Sequence, residues 1–164
     1  GLGEFATLHV KNSPNEFEWW VILAYAQIQQ KQYKSAIELL KTAVARSPEE
    51  VDPHNLLGEA LRLSGDSAAA VRVLERAISI SSNSASTRFL LGQAYRDENR
   101  LERAKEAYRG AIRIDERFSP AWAGLVGVLE RTGPRAEFDE AVKGLATLEP
   151  GLAQQLLKGA KPAR

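Results

Sequence analysis

At 164 residues, with 44% apolar and 26% charged residues and a net charge of +1, the chain has the length and balance of one soluble globular domain. That charge argues against bulk attraction to nucleic acid or an anionic membrane, leaving open only a local patch, and no stretch approaches the roughly 20 apolar residues of a membrane span. The absence of cysteine rules out disulfides and fits either a reducing cytoplasm or a bacterial periplasm, so localisation stays open between the two.

The start, Gly1-Leu2-Gly3-Glu4-Phe5, has no methionine and reads as a processed or cloned end, set aside from functional argument. Residues 1–16 are expected to form an N-terminal strap. Pro14 lies one period before Pro48, so part of the strap is either an extended segment or the remnant of an earlier second helix; Thr7, His9 and Asn12 make it a poor helix. Ser13-Pro14-Asn15-Glu16 then reads as a helix start, with Ser accepting from a free backbone N–H, Pro at the first helical position and Glu completing a capping box. Ser119-Pro120 opens a later helix in the same way.

From there apolar spacing predicts helices over 15–30, 33–46, 52–64, 67–80, 85–98, 101–114, 120–132 and 137–148. They repeat with a fixed step of 34 residues: Leu23, Leu57, Leu91 and Leu125, each followed by the small or slim Ala24, Gly58, Gly92 or Val126. Ala36, Ala70 and Ala104 form a second ladder, and Ala43, Ala77 and Ala111 a third. Lys31, Gly65, Asn99 and Gly133 fall between the two helices of each unit, where Gly or Asn readily supplies the positive φ that ends a helix. Each unit is therefore helix, tight turn, helix. In the fourth, Phe138 falls where the ladder requires a small residue; sliding the second helix by three puts Ala141 there, makes Pro134-Arg135-Ala136 an insertion in the turn, and shortens the helix that follows. After Pro150-Gly151 a short amphipathic helix over 152–158, with Leu152, Leu156 and Leu157 on one side, is expected to cover the open end of the stack, or alternatively to dock on a partner; Lys161-Pro162-Ala163-Arg164 is a tail.

These residues make the chain resemble the tetratricopeptide repeat (TPR) family, whose pattern is Trp, Leu-Gly and Tyr on the first helix, then Ala, an aromatic and finally Pro on or after the second. The third unit carries it as Leu91-Gly92, Tyr95, Ala104 and Tyr108; the first as Trp20, Leu23-Ala24, Ala36, Leu40, Ala43 and Pro48; the second as Leu57-Gly58, Leu61, Ala70, Leu74 and Ala77. Departures are Gln27 in the place of Tyr95, and His54 and Arg88 in the place of the Trp20 and Trp122 of the first and fourth units. The resemblance implies an all-α, right-handed superhelical solenoid of four hairpins, residues 17–50, 51–84, 85–118 and 119–150, closed by a capping helix and tail over 151–164.

Catalytic chemistry finds no support in the residues. His9 and His54 are isolated, no His/Asp/Glu cluster has metal spacing, and no Gly-rich phosphate loop is present, so neither cofactor nor metal is implied. His54 reads as a packing residue. The acidic pairs Glu49-Glu50, Asp97-Glu98 and Asp139-Glu140 read as solvated surface.

In the TPR family the first helices line the concave side of the superhelix. The stripe that the core ladders leave unclaimed is Val21, Tyr25 and Ile28; Asn55, Glu59 and Arg62; Phe89, Gln93 and Arg96; and Ala123, Gly127 and Glu130. The expected groove is apolar at Val21, Tyr25 and Ile28, and carries Arg62 and Arg96 with Phe89 in its middle, residue types that anchor binding hot spots. A two-carboxylate clamp of the chaperone-binding TPR proteins is absent, because Val21, Tyr25 and Leu56 stand where the resemblance requires Lys, Asn and Asn. The expected function is a non-enzymatic scaffold that binds a protein or peptide partner, neither nucleic acid nor membrane, as one module of a larger bacterial protein. Two alternatives stay open: a regulatory or substrate-recruiting arm of an enzyme, or a homo-oligomerisation module using Phe5, Leu8, Val10 and Trp19 at the N-terminal end.

Overall fold

The computed structural model describes residues 17–159, and among them every regular element is a helix. The chain divides into two compact units, with the boundary between Ser82 and Asn83. The strap, the cap at Ser13 and the N-terminal apolar residues Phe5, Leu8 and Val10 lie outside the described residues.

The first unit contains α1 (Phe17–Gln29), α2 (Tyr33–Arg46), α3 (Val51–Leu63) and α4 (Ser67–Ile80). Each helix packs on the next, and α1 also touches α3. Its core is the ladder read from the sequence: Leu23 and Leu57 are nearly inaccessible, and Ala24, Ala36, Ala43, Ala70 and Ala77 are wholly so. At Gly58 size is the constraint, since a Cβ there would lie 2.5 Å from Leu74 Cγ. His54 is 3% exposed and its Nδ1–H donates to the Glu50 carbonyl at 2.7 Å, so the ring is a satisfied core residue.

The second unit contains α5 (Ala85–Asp97), α6 (Leu101–Ile114), α7 (Ser119–Thr132), α8 (Arg135–Leu148) and α9 (Pro150–Gly159). Successive helices pack, with further contacts of α5 on α7 and of α9 on α7. Tyr108 is its largest fully buried side chain, and two glycines make the slot for it. A Cβ on Gly92 would meet the ring at 2.6 Å and one on Gly124 at 2.7 Å, from α5 and α7 respectively. In the first unit the corresponding slot holds the smaller Leu40, and Ala24 stands where α5 has Gly92. The third hairpin thus sets its largest buried side chain against glycine on both neighbouring helices, as a close-packed interior demands.

Turn chemistry separates the fourth hairpin from the others. Lys31, Gly65 and Asn99 have φ of 59°, 96° and 58°, and the residue after each closes the six-to-one bond of a Schellman motif: Gln32 N–H to Gln27 O at 2.8 Å, Asp66 to Leu61 at 2.9 Å, Arg100 to Tyr95 at 2.8 Å. Gly133 does not take the positive φ expected of it; its φ and ψ are −93° and 156°. The donor for the motif would be Pro134, which has no N–H, and a proline also drives the residue before it into extended backbone.

The expected insertion at Pro134-Arg135-Ala136 is therefore corrected. In place of a longer turn, α7 gains a residue, the turn shrinks to Gly133-Pro134, and α8 begins at Arg135, in step with Tyr33, Ser67 and Leu101, and runs its full 14 residues. Phe138 stays on the small-residue ladder, 4% exposed, with the Arg135 guanidinium 5.1 Å above its ring. Ala141 is also buried, so both residues face the core.

Two end effects also differ from expectation. Ser119 sits inside α7, after Phe118 as the N-cap, and its hydroxyl donates to the Glu149 carboxylate. Side-chain caps occur instead at Asp66, accepting from Ala69 N–H at 3.0 Å, and at Ser84, accepting from Thr87 N–H at 3.2 Å. In α9, Ala153 is the buried residue, Leu152 and Leu156 are half-buried, and Leu157 remains 42% exposed.

Candidate functional site

On α1, Tyr25 is 49% exposed and Val21 half-buried, whereas Ile28 is only 5% exposed. Ile28 thus belongs to the core and leaves the expected apolar patch: the apolar side chain is buried at this position, whereas Arg62 and Arg96, one and two repeats on and with carbonyls that accept the same turn bond, stay half-buried. On α3, Asn55, Glu59 and Arg62 are all half-buried. Asn55 Oδ1 is buried and, among the described residues, accepts no hydrogen bond; the same holds for Gln27 Oε1 on α1.

On α5, Phe89 is drawn into an aromatic cluster, 5.9 Å from the Tyr108 ring and edge-on to Phe118 at 5.6 Å. It is half-buried, so its ring is largely committed to its own unit and is a weaker free anchor than expected. Gln93 is half-buried, and Arg96 reaches Asp97 at 3.4 Å, an exposed pair of the kind that contributes little and exchanges readily. On α7, Ala123 and Gly127 are half-buried and Glu130 is exposed. A Cβ at Gly127 would meet nothing within 4 Å, while one at Gly124, three residues earlier, would strike Tyr108. One face of α7 is packed and the other open.

Acidic pairs suggested no chemistry in the sequence, and members of each form surface ion pairs: Glu49 with Arg76 at 3.2 Å, Glu98 with Arg100 at 3.1 Å, Asp139 with Arg135 at 2.9 Å. Among the described residues no group of three His, Cys, Asp or Glu could hold a metal ion, and no helix is long and apolar enough to cross a membrane.

Sequence reasoning overlooked a second concavity, within the second unit, between α6, α7 and α8. It measures about 200 Å³ and is floored by Ile112, Leu125, Leu129 and Ala141, with Trp122 as a wall. The only signal for it in the sequence was the presence of Arg109 and Arg113 opposite Glu137 and Glu140 on helices not adjacent in the chain.

The repeats, their buried ladders and their turns define a helical repeat protein, and comparison with known proteins specifies which. Models described as tetratricopeptide repeat match residues 5–51, 23–86 and 61–129, and the chain belongs to the tetratricopeptide repeat family. Among solved structures it is similar to TTC0263, a thermophilic TPR protein in Thermus thermophilus, at 19% identity and a TM-score of 0.80, over 95% of this chain and 87% of that one. YrrB, a TPR protein with an unusual peptide-binding site, matches at 18% identity and a TM-score of 0.76, over 95% and 81%. A MamA protein matches at 26% identity and a TM-score of 0.77, over 93% and 83%. A comparison with curated proteins finds no match.

Proposed function

We propose that this chain is a non-enzymatic interaction scaffold that binds a peptide or partner helix on the first-helix faces of its repeats. The observation that carries the reading is the Tyr25 ring, 49% exposed at a stripe position on α1, on the same unit as the half-buried Asn55, Glu59 and Arg62. An exposed, rigid aromatic ring anchors a partner at little cost in conformational freedom. YrrB, with the same fold, has a peptide-binding site, and a peptide is the partner class proposed here. Val21, Tyr25, Asn55, Glu59 and Arg62 would contact it on the first unit, and Gln93, Arg96 and Glu130, with the edge of Phe89, on the second.

The test is affinity capture from the native host, followed by titration of the recovered partner. Asn55→Ala should leave the unfolding midpoint equal or higher, since it removes a buried acceptor that the protein itself does not pair, and should weaken binding through the lost contact of a half-buried stripe side chain. Tyr25→Ala should weaken binding with little change in salt dependence; Arg62→Ala with Arg96→Ala should weaken it and flatten the salt dependence, because screening acts on exposed charge pairs. A partner that binds all three variants as it binds the parent sinks the proposal.

A further inference from the structure

The concavity between α6, α7 and α8 has features that a simple packing defect would lack. Its wall is rigid: the Trp122 indole N–H donates to the Glu116 carbonyl at 2.9 Å, and the ring lies so close to α8 that a Cβ on Gly144 would be 2.4 Å from it. One edge is closed by the Arg109–Glu137 ion pair at 2.7 Å, which ties α6 to α8. The remaining two charges behave differently. Arg113 and Glu140 line the same concavity, yet among the described residues neither forms an ion pair or hydrogen bond, and they do not reach each other. An apolar floor is thus flanked by an unengaged guanidinium and an unengaged carboxylate.

We propose that this pocket binds a free α-amino acid with an apolar side chain. Its carboxylate would pair with Arg113, its ammonium with Glu140, and its side chain would rest on Leu125, Leu129 and Trp122. The volume suits one residue: about 200 Å³ exceeds the roughly 150 Å³ of a cavity that holds benzene. The pair of opposite charges selects the free amino acid over a residue inside a chain, where the α-amine and α-carboxyl are neutral amides and could satisfy neither partner. Arg113 suits the task because its planar fork meets a carboxylate with two parallel bonds. The pocket lies wholly on the second unit and involves none of the stripe residues.

The test is calorimetric titration of the full chain with L-phenylalanine and L-leucine at low salt. Saturable one-site binding is expected, with Arg113→Gln and Glu140→Gln each weakening it at least about fivefold. The parent protein supplies an independent arm: N-acetyl-L-phenylalanine, which lacks the ammonium, and L-phenylalaninamide, which lacks the carboxylate, should each bind at least about fivefold more weakly. No saturable binding up to about 10 mM overturns the proposal. So does equal affinity for the free and blocked forms, or preference for a phenylalanine-containing peptide over the free amino acid. Because the blocked ligands are tested on the unmodified chain, a folding defect in a variant cannot decide the outcome.

Discussion

Replacing Gly92 with Ala probes the tightest fit in the second unit. The new Cβ would lie 2.6 Å from the Tyr108 ring, about an ångström inside ordinary carbon contact, and the ring cannot retreat because Gly124 confines it from α7. Overpacking of this kind costs about 1–3 kcal/mol, offset by about 1 kcal/mol from the better helix propensity of Ala, so a net loss near 1 kcal/mol is expected. Gly127→Ala makes the same chemical change on the open face of α7 and should keep the propensity gain of about 1 kcal/mol intact. The two variants should therefore differ by about 1–3 kcal/mol in urea unfolding followed by far-UV circular dichroism. A double-mutant cycle isolates the cause. Tyr108→Leu recreates, together with Gly92→Ala, the Ala24 and Leu40 combination of the first unit, and should recover at least about 1 kcal/mol relative to the sum of the single changes. Gly92→Ala and Gly127→Ala with equal midpoints, or a cycle additive within about 0.3 kcal/mol, would show that the slot is not limiting.

Three further outcomes are expected. Lys31→Gly should raise the unfolding free energy by about 0.5–1 kcal/mol, because it relieves a non-glycine residue held at φ 59°, whereas Gly65→Ala should lower it by about 1 kcal/mol; urea unfolding of the two checks this. Asp66→Ala should cost about 1 kcal/mol through the lost cap on Ala69 N–H, while Glu50→Ala, at an N-cap whose side chain makes no bond, should stay within about 0.5 kcal/mol; thermal unfolding of the pair is the measurement. Replacing Pro134 with Lys should restore an N–H after Gly133 and let the fourth turn close as the other three do; hydrogen exchange at residue 134 should then show protection comparable to that of Arg100.

The repeat, its step, its helix order and its alanine and leucine ladders were legible in the sequence, since burial at a fixed position of each hairpin imposes the same size limit every 34 residues. The candidate stripe was legible in outline for the same reason: helical periodicity assigns one face to the core and leaves another. Ile28 and Phe89 show where that reasoning stops. Both lie on the stripe by spacing, but Ile28 is buried at the end of α1, and Phe118, which sits in the loop after α6, meets Phe89 from outside any helix periodicity. Gly133 has the spacing of a left-handed turn residue, but the proline beside it decides otherwise. The slot for Tyr108 and the pocket lined by both Arg113 and Glu140 depend on pairs of residues from different helices. A size or charge match across helices has no period along the chain, and only tertiary packing brings its two halves together.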